Sequence, residues 1–432
     1  MRDNKTIVVL DDDPTGTQTV HGIPVVTSWA KEVIEAEFNL NTPLFYILTN
    51  SRALLEEDAA KLGLHIGQTL KEIGKPVFVI SRGDSTLRGH FPKEVTALAK
   101  GLGWSDNYLI VLAPAFFEGN RLTKNDVHYI KENEQWIPVA ETPYAKDKTF
   151  GYKNSNLKEW VIEKTNGQIG IDKIGSISLK ELESYNIESI LQKIEVTPKV
   201  LIVNATKPEH LITFATIVKT SNRNIIFRTA ASIVPALGGI EPKPLLNNKS
   251  FESSGYNKQG GLIFVGSHVP KSTTQLKELL KTGIASVEFD VEQYLKKTEA
   301  YLNDLSVEIN SVLDKGTDLV LYTSRKLVSK NDLNESLLLS IKVSEGLIYL
   351  VKKLEKKPAF LIAKGGITSS DVATKGLNIK RAIVLGQILP GVPVWQADES
   401  SRFPDLHYVV FPGNVGTDDG LLQAYKKINP KP

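Results

Sequence analysis

The sequence predicts an α/β protein of two domains, each a mainly parallel sheet flanked by helices, with a ligand cleft between the domains. Short apolar runs recur along the chain and alternate with amphipathic stretches, the pattern of buried parallel strands connected by helices. The chain has 432 residues, more than one ordinary core accommodates. A segment rich in Gly, Pro, Asn and Ser at 238–261 interrupts the alternation. We therefore predict a first domain at 1–240, a linker at 241–260 and a second domain at 261–432.

The elements follow from apolar runs of strand length and from one stretch of helical periodicity. A helix is predicted at 55–73, where apolar residues recur at helical spacing. The strands predicted for the first domain are 6–11, 44–49, 76–80, 107–114, 198–205 and 224–230. Those predicted for the second domain are 261–267, 318–324, 358–366, 382–388 and 407–414.

Composition narrows the classes of function. The net charge of +3, from 52 basic and 49 acidic residues, gives no bulk attraction to nucleic acid, so no nucleic-acid partner is expected. No apolar run reaches the length of a membrane span, and early carboxylates interrupt a signal peptide, so a cytoplasmic protein without a membrane partner is expected. The chain has no cysteine, and its seven histidines show no pair at the spacing of zinc ligands.

Polar side chains follow three strands of the first domain. Because ligands of open α/β sheets bind at the carboxyl ends of the strands, these groups are predicted to converge on one crevice. Arginines suit a carboxylate, and aspartates can bind hydroxyls, hold Mg²⁺ through water or accept a proton. A small polyhydroxy acid is the expected guest; the alternative is that the residues only cap turns. The candidate substrate-binding residues are Asp12, Asp13, Ser51, Arg52, Arg82, Asp84, Ser85 and Arg88.

Three glycine-rich turns follow strands of the second domain, at 264–276, 362–377 and 411–421. Glycines let a backbone approach a ligand closely, and the start of a helix favours anions, so a phosphate-bearing ligand is predicted. None of the turns has the lysine-bearing phosphate loop or the dinucleotide fingerprint. Lys364 could contact a phosphate, although a lone lysine is more often solvated.

The order of the motifs resembles that of the four-carbon acid sugar kinase family. The resemblance spans almost the whole chain and rests on DDPTG, NSRAL, GDSTLRG, FRTAAS, VGS followed by TTQL, KGGITSSD and PGNVGTDDGL. A mid-chain segment, TPYAKDKTFGYKNSNL, adds to it. Two features depart from the family: Arg82–Gly83 stand where a lysine is common, and the acidic run after the first strand has three residues. Both lie in the substrate-binding half.

The resemblance implies an ATP-dependent kinase that phosphorylates a hydroxyl of a small sugar acid, such as a tetronate, with Mg²⁺ neutralising charge. The first domain would hold the acid and the second the nucleotide. A non-kinase sugar-acid enzyme and a non-catalytic ligand-binding regulator are the alternatives. The oligomeric state is open, with a homodimer as one alternative. The implied nucleotide-binding residues are Ser267, Gly365, Gly366, Ile367, Thr368, Gly413 and Asn414.

Phosphoryl transfer also needs a group that takes the proton of the acceptor hydroxyl. Asp84 is the favoured base, although flanking arginines should lower its pKa. Asp12 is then expected to orient the substrate or a metal-bound water. We expect Arg52 or Arg88 to pair with the carboxylate of the acid, because a guanidinium matches a carboxylate with two parallel hydrogen bonds.

Overall fold

The computed structural model describes residues 5–254, 258–325 and 333–429. In chain order its strands are β1 (Thr6–Asp11), β2 (Ile23–Val26), β3 (Leu44–Leu48), β4 (Val77–Arg82), β5 (Leu109–Ala113), β6 (Arg121–Lys124), β7 (Val127–Glu132), β8 (Gln135–Pro138), β9 (Ile174–Ile177), β10 (Val200–Val203), β11 (Ile225–Thr229), β12 (Leu262–Val265), β13 (Ala285–Phe289), β14 (Leu319–Thr323), β15 (Leu361–Lys364), β16 (Arg381–Leu389), β17 (Val392–Ala397) and β18 (His407–Phe411). Its α-helices are α1 (Lys31–Asn39), α2 (Glu56–Ile73), α3 (Lys93–Gly101), α4 (Leu157–Lys164), α5 (Leu179–Glu183), α6 (Ile187–Val196), α7 (Pro208–Val218), α8 (Ile233–Gly238), α9 (Pro270–Leu280), α10 (Val291–Asp314), α11 (Leu333–Lys352), α12 (Gly366–Asp371) and α13 (Gly420–Ile428).

The chain folds into two compact units, and the first holds the residues up to Val20 and Ser28–Pro242. Its main sheet has the strand order β3-β1-β4-β11-β5-β10-β9, and every neighbouring pair is parallel. Its strands are apolar along most of their length because helices cover both faces of such a sheet. Strands β6, β7 and β8 form a separate antiparallel sheet.

The second unit holds His21–Thr27 and the chain from Lys243 onward. Its strands run in the order β13-β14-β12-β15-β18-β17-β16-β2. The five strands from β13 to β18 pair in parallel, and the pairs from β18 to β2 are antiparallel. A hydrophobic core packs under this sheet, with Ile263, Val409 and Phe411 fully buried in it.

The structure corrects the predicted division of the chain at two places. The prediction placed all of 1–240 in the first domain, but residues 21–27 belong to the second unit because β2 pairs with β16. The segment predicted as a linker, 241–260, also belongs to the second unit from Lys243 onward. Leu246 and Phe251 of this segment are each only 4% exposed and pack in the second core. Burial of these apolar side chains therefore holds the segment against the second domain.

The predicted fold class, two α/β domains with mainly parallel sheets, is confirmed. All eleven strands predicted from the sequence overlap observed strands, and the predicted helix at 55–73 is α2. The prediction missed β2, β6 to β9, β13 and β17, most of which are short or lie in antiparallel pairs. Among the described residues, no helix is both long and apolar enough to cross a bilayer.

Candidate active site

The site predicted for the first unit lies at the carboxyl ends of four neighbouring strands, β3, β1, β4 and β11. Asp11 at the end of β1 pairs in register with Leu48 of β3 and with Arg82 of β4. Arg82 in turn pairs with Thr229 of β11. Because these strands are parallel and end at one edge, the polar residues that follow them meet there.

Asp84 is held by two arginines, Arg88 from its own segment after β4 and Arg52 from the segment after β3. Arg88 donates to both of its carboxylate oxygens, from Nε at 2.9 Å and from Nη2 at 3.3 Å. Arg52 Nη1 lies 3.2 Å from Asp84 Oδ1. The same Arg52 also donates to Asp13, whose carboxylate accepts a hydrogen bond from the backbone N–H of Thr15 at 2.8 Å. Asp13, Arg52, Asp84 and Arg88 thus form one chain of ion pairs.

The arginines of this chain of ion pairs keep the carboxylates of Asp13 and Asp84 ionised. Burial alone would raise the pKa of Asp84, but the charges of Arg52 and Arg88 and their hydrogen bonds outweigh it and hold the pKa below its ordinary value. The pKa of Asp13 is lowered in the same way by Arg52 and Thr15, against its burial. Both oxygens of Asp84 already accept hydrogen bonds, so Asp84 is poorly placed to take a proton.

A second cluster, of Asp11, Asp12 and Arg82, lies beside this chain and is almost fully buried. Arg82 Nη1 lies 3.3 Å from Asp11 Oδ1 and 3.5 Å from Asp12 Oδ1. The second carboxylate oxygen of each aspartate is buried and has no hydrogen-bond partner among the described residues. A Cβ at Gly16 would overlap Asp11 Oδ2, so the glycine of DDPTG makes room for this carboxyl. Burial raises the pKa of Asp11 to about 8.

Asp11→Asn is expected to remove a pH dependence of stability. In the folded protein the pKa of Asp11 is about 8, so Asp11 stays protonated up to that pH. In the unfolded chain Asp11 has its ordinary pKa of 3.8 and releases the proton. The native state therefore loses stability as pH rises between these two values, by up to about 1.4 kcal/mol per pH unit. Urea unfolding at about pH 6 and about pH 9 gives the free energy of unfolding at each pH. This free energy should fall more between the two pH values for the wild type than for the variant. Equal losses would mean that Asp11 is ionised in the folded protein.

Arg228, which the sequence did not single out, stands at the centre of the predicted substrate segment. Its Nη1 donates to Ser81 Oγ at 3.0 Å and lies 3.4 Å from Glu94 Oε2. A Cβ at Gly83, or at Gly89, would lie 2.5 Å from its guanidinium, so both glycines of GDSTLRG are needed for this packing. The motif therefore wraps around Arg228, and the signal in the sequence was a charged residue inside the buried strand β11.

The remaining predicted substrate residues of the first unit are buried at the same edge. Ser51 Oγ donates to Glu94 Oε1 at 2.6 Å. Ser85 is 9% exposed, and its carbonyl oxygen lies 2.8 Å from His128 Nε2 of β7. Burial lowers the pKa of His128 to about 4, so this histidine is neutral and anchors the segment without adding charge. Tyr152 OH donates to Thr86 O at 2.7 Å and fixes the segment from another side.

In the second unit, the strand ends of β12, β15 and β18 bring several predicted nucleotide-binding residues together. Gly365 has φ 121°, a value that favours glycine, and a Cβ there would lie 3.1 Å from Ser267 Cβ and 3.3 Å from Thr368 Oγ1. A Cβ at Gly413 would lie 3.1 Å from Ser267 Oγ. Arg325, which the prediction missed, holds the Ser267 turn by donating to its carbonyl oxygen at 2.7 Å.

The other residues predicted near the nucleotide differ in their position and exposure. Gly366 begins α12, and Asn414 is exposed. The side chain of Ile367 lies outside the described residues. The interpretation of Lys364 as solvated is wrong, because it is fully buried and donates to Pro412 O at 3.0 Å. Burial lowers the pKa of Lys364 to about 7, and its Nζ lies 4.0 Å from the centre of the Phe411 ring.

Two family models match the chain. The model described as the sugar-binding N-terminal domain matches residues 7–237, and the nucleotide-binding C-terminal domain matches residues 262–421. No curated protein matches the sequence. Among solved structures, a Salmonella typhimurium LT2 protein with the provisional name tRNA synthase has 17% identity and a TM-score of 0.72, over 97% of this chain and 98% of its own.

A second similar structure is protein HI1011 of Haemophilus influenzae, from a domain family of unknown function. It has 18% identity and a TM-score of 0.67, over 96% of this chain and 98% of its own. At these identities the two structures support the fold. Together with the family models they define a two-domain protein with a sugar-binding and a nucleotide-binding half. The chain belongs to the four-carbon acid sugar kinase family.

Proposed function

We propose that the protein is a kinase that transfers the γ-phosphoryl group of ATP to a hydroxyl of a small sugar acid. The observation that carries the proposal is the buried cluster of arginines and aspartates at the strand ends of the sugar-binding domain, in a chain that also has a nucleotide-binding domain. Such a cluster supplies cations for a carboxylate, acceptors for hydroxyls and a carboxylate that can take a proton.

The geometry favours Asp12 over Asp84 as the proton acceptor. Both oxygens of Asp84 are engaged by Arg52, Arg88 and Thr86, whereas Asp12 Oδ2 accepts no hydrogen bond within the described residues. In the proposal Asp84 therefore orients the arginines, and Asp12 takes the proton of the acceptor hydroxyl as the phosphoryl group arrives.

The nucleotide is assigned to the second unit, at the turns that carry Ser267, Gly365, Gly366, Thr368 and Gly413. Bare backbone at Gly365, Gly366 and Gly413 suits a triphosphate, because N–H groups can point at phosphate oxygens without side chains in the way. The described residues contain no group of three or more His, Asp or Glu side chains spaced to hold a metal. Mg²⁺ would supply charge neutralisation, and it enters in this proposal bound to ATP, with phosphates and water as most of its ligands.

Release of ADP tests the proposal directly. The full-length protein is incubated with ATP, Mg²⁺ and a panel of sugar acids, and the products are identified by phosphorus NMR. The kinase proposal expects ADP release that depends on one class of acid, with a phosphate ester of that acid as product. Binding of acid and ATP without turnover would indicate a regulator, and chemical change of the acid without ADP would indicate another sugar-acid enzyme.

Hydrogen exchange tests the assignment of the two ligands to the two units. ATP should protect the turns at 266–268, 365–368 and 412–414, and an acid that is a substrate should protect residues 81–94. Protection of residues 81–94 by ATP alone would contradict the assignment. Gly365→Ala serves as a control, because a Cβ at φ 121° is strained and should weaken ATP binding without changing binding of the acid.

A further inference from the structure

A further arginine, Arg121 of β6, stands apart from the other arginines of the first unit's site. Arg52, Arg82, Arg88 and Arg228 each lie within 4 Å of a carboxylate of the protein. Arg121 has no such ion pair among the described residues, and its Nε is buried without a hydrogen-bond partner. A buried donor of this kind is costly unless a ligand or water pairs with it.

The fold aims Arg121 at the segment that contains Asp84. Strand β6 pairs with β7, and Thr123 Oγ1 lies 3.0 Å from Nδ1 of His128, whose Nε2 contacts the carbonyl of Ser85. Arg121 precedes Thr123 by two residues, so both side chains leave the strand on the same face. Burial lowers the pKa of Arg121, and the nearby Tyr144 and Asp84 only partly oppose this although Asp84 is beyond ion-pair distance. The Tyr144 ring lies 5.1 Å from the guanidinium carbon of Arg88.

The backbone and a glycine hold Arg121 in place. Its N–H donates to Phe116 O at 2.8 Å, and its carbonyl accepts from the Phe116 N–H at 3.0 Å. Its Nη1 donates to the carbonyl of Gly119, and a Cβ at Gly119 would overlap that nitrogen. The guanidinium is therefore positioned before any ligand binds, which reduces the entropy that binding costs.

We propose that Arg121 binds the carboxylate of the sugar acid and sets the preference for an acid over a neutral polyol, an inference that rests on the proposed function. The sequence pointed to Arg52 or Arg88 for this role. Both are committed to Asp84, whereas a carboxylate on Arg121 would supply the negative partner that this guanidinium lacks.

The test compares Arg121→Gln with the wild type on a four-carbon tetronate and on the alditol of the same configuration. Calorimetry without ATP gives the Kd for each compound, and turnover with ATP gives kcat/KM. The ratio between acid and alditol should fall by about 10-fold to 100-fold in the variant, because a charged hydrogen bond to the carboxylate is lost. A residue that only supports the fold would weaken both compounds alike and leave the ratio unchanged.

Lys124→Gln is the matched control, because it removes one positive charge from the exposed face of the same strand. The proposal expects the wild-type ratio in this control. It is overturned by an unchanged ratio in Arg121→Gln, by an equal fall in Lys124→Gln, or by a fall confined to Arg52→Gln or Arg88→Gln. Arg121→Lys, which keeps the charge and loses the planar fork, carries the test if the glutamine variant does not fold. If no acid is phosphorylated, the ratio of the Kd values for acid and alditol from calorimetry still tests whether Arg121 binds the carboxylate.

Discussion

Replacing Asp12 by asparagine is expected to lower kcat for the sugar acid by about 100-fold or more while the acid still binds. The amide has nearly the same shape and can still accept from Arg82, which lies 3.5 Å from Asp12 Oδ1. It cannot take a proton, so the acceptor hydroxyl would have to lose its proton to water. A 100-fold loss corresponds to about 2.7 kcal/mol of transition-state stabilisation. Steady-state kinetics with calorimetry of the acid measures the two effects separately.

Asp84→Asn is the comparison that separates the two candidate bases. If Asp84 orients Arg52 and Arg88, its amide should disturb the chain of ion pairs and change the KM for the acid more than kcat. A variant of Asp12 that keeps the wild-type kcat, together with an Asp84 variant that loses it, would assign proton acceptance to Asp84. The KM for ATP should be close to that of the wild type in both variants, because the nucleotide is assigned to the second unit.

The sequence predicted Asp13, Arg52 and Asp84 as neighbours because topology alone places them together. Parallel strands end at one edge of a sheet, so residues that follow consecutive buried strands need no register to meet there. The roles of these residues could not be read in the same way. Whether an arginine faces a ligand or a carboxylate of the protein depends on side-chain geometry, and here Arg52 and Arg88 both contact Asp84.

Sequence patterns do not predict which residues from distant segments come together in the fold. Arg228 is 145 positions after Gly83, and only the pairing of β11 with β4 brings them together. The sequence did not predict that β2 belongs to the second unit for a similar reason. Its partner strand, β16, lies more than 350 residues further along the chain. A charged residue inside an apolar strand was the one available signal, and both Arg228 and Lys364 fit it because each is buried.

Arg228→Met is expected to produce the largest loss of stability, about 3–5 kcal/mol in the free energy of unfolding of the first unit. Glu94 is 4% exposed, and Arg228 is its ion-pair partner at 3.4 Å. Without the guanidinium, the buried carboxylate of Glu94 retains, among the described residues, the hydrogen bond from Ser51 alone. Four of the five tryptophans lie in the first unit, so tryptophan fluorescence during urea unfolding reports mainly on this domain.

The double variant Arg228→Met/Glu94→Gln identifies the cause of that loss. If the penalty comes from the uncompensated charge of Glu94, removing the charge should recover a large part of it, because the amide can still accept from Ser51. A double variant as unstable as the single one would instead assign the loss to packing, where the Arg228 side chain lies against Gly83 and Gly89.

The pH dependence of Arg228→Met gives an independent test of the same cause. Burial raises the pKa of Glu94 above its ordinary value of 4.5, although Arg228 and Ser51 oppose the rise. Without Arg228 the pKa rises further, and the folded variant holds a proton that the unfolded chain releases. A raised pKa in the folded state favours folding at low pH, and this stability is lost as pH rises through that pKa. The deficit of the variant should therefore shrink as pH falls toward 4.5 and grow toward neutral pH, whereas a packing defect would leave it the same at every pH.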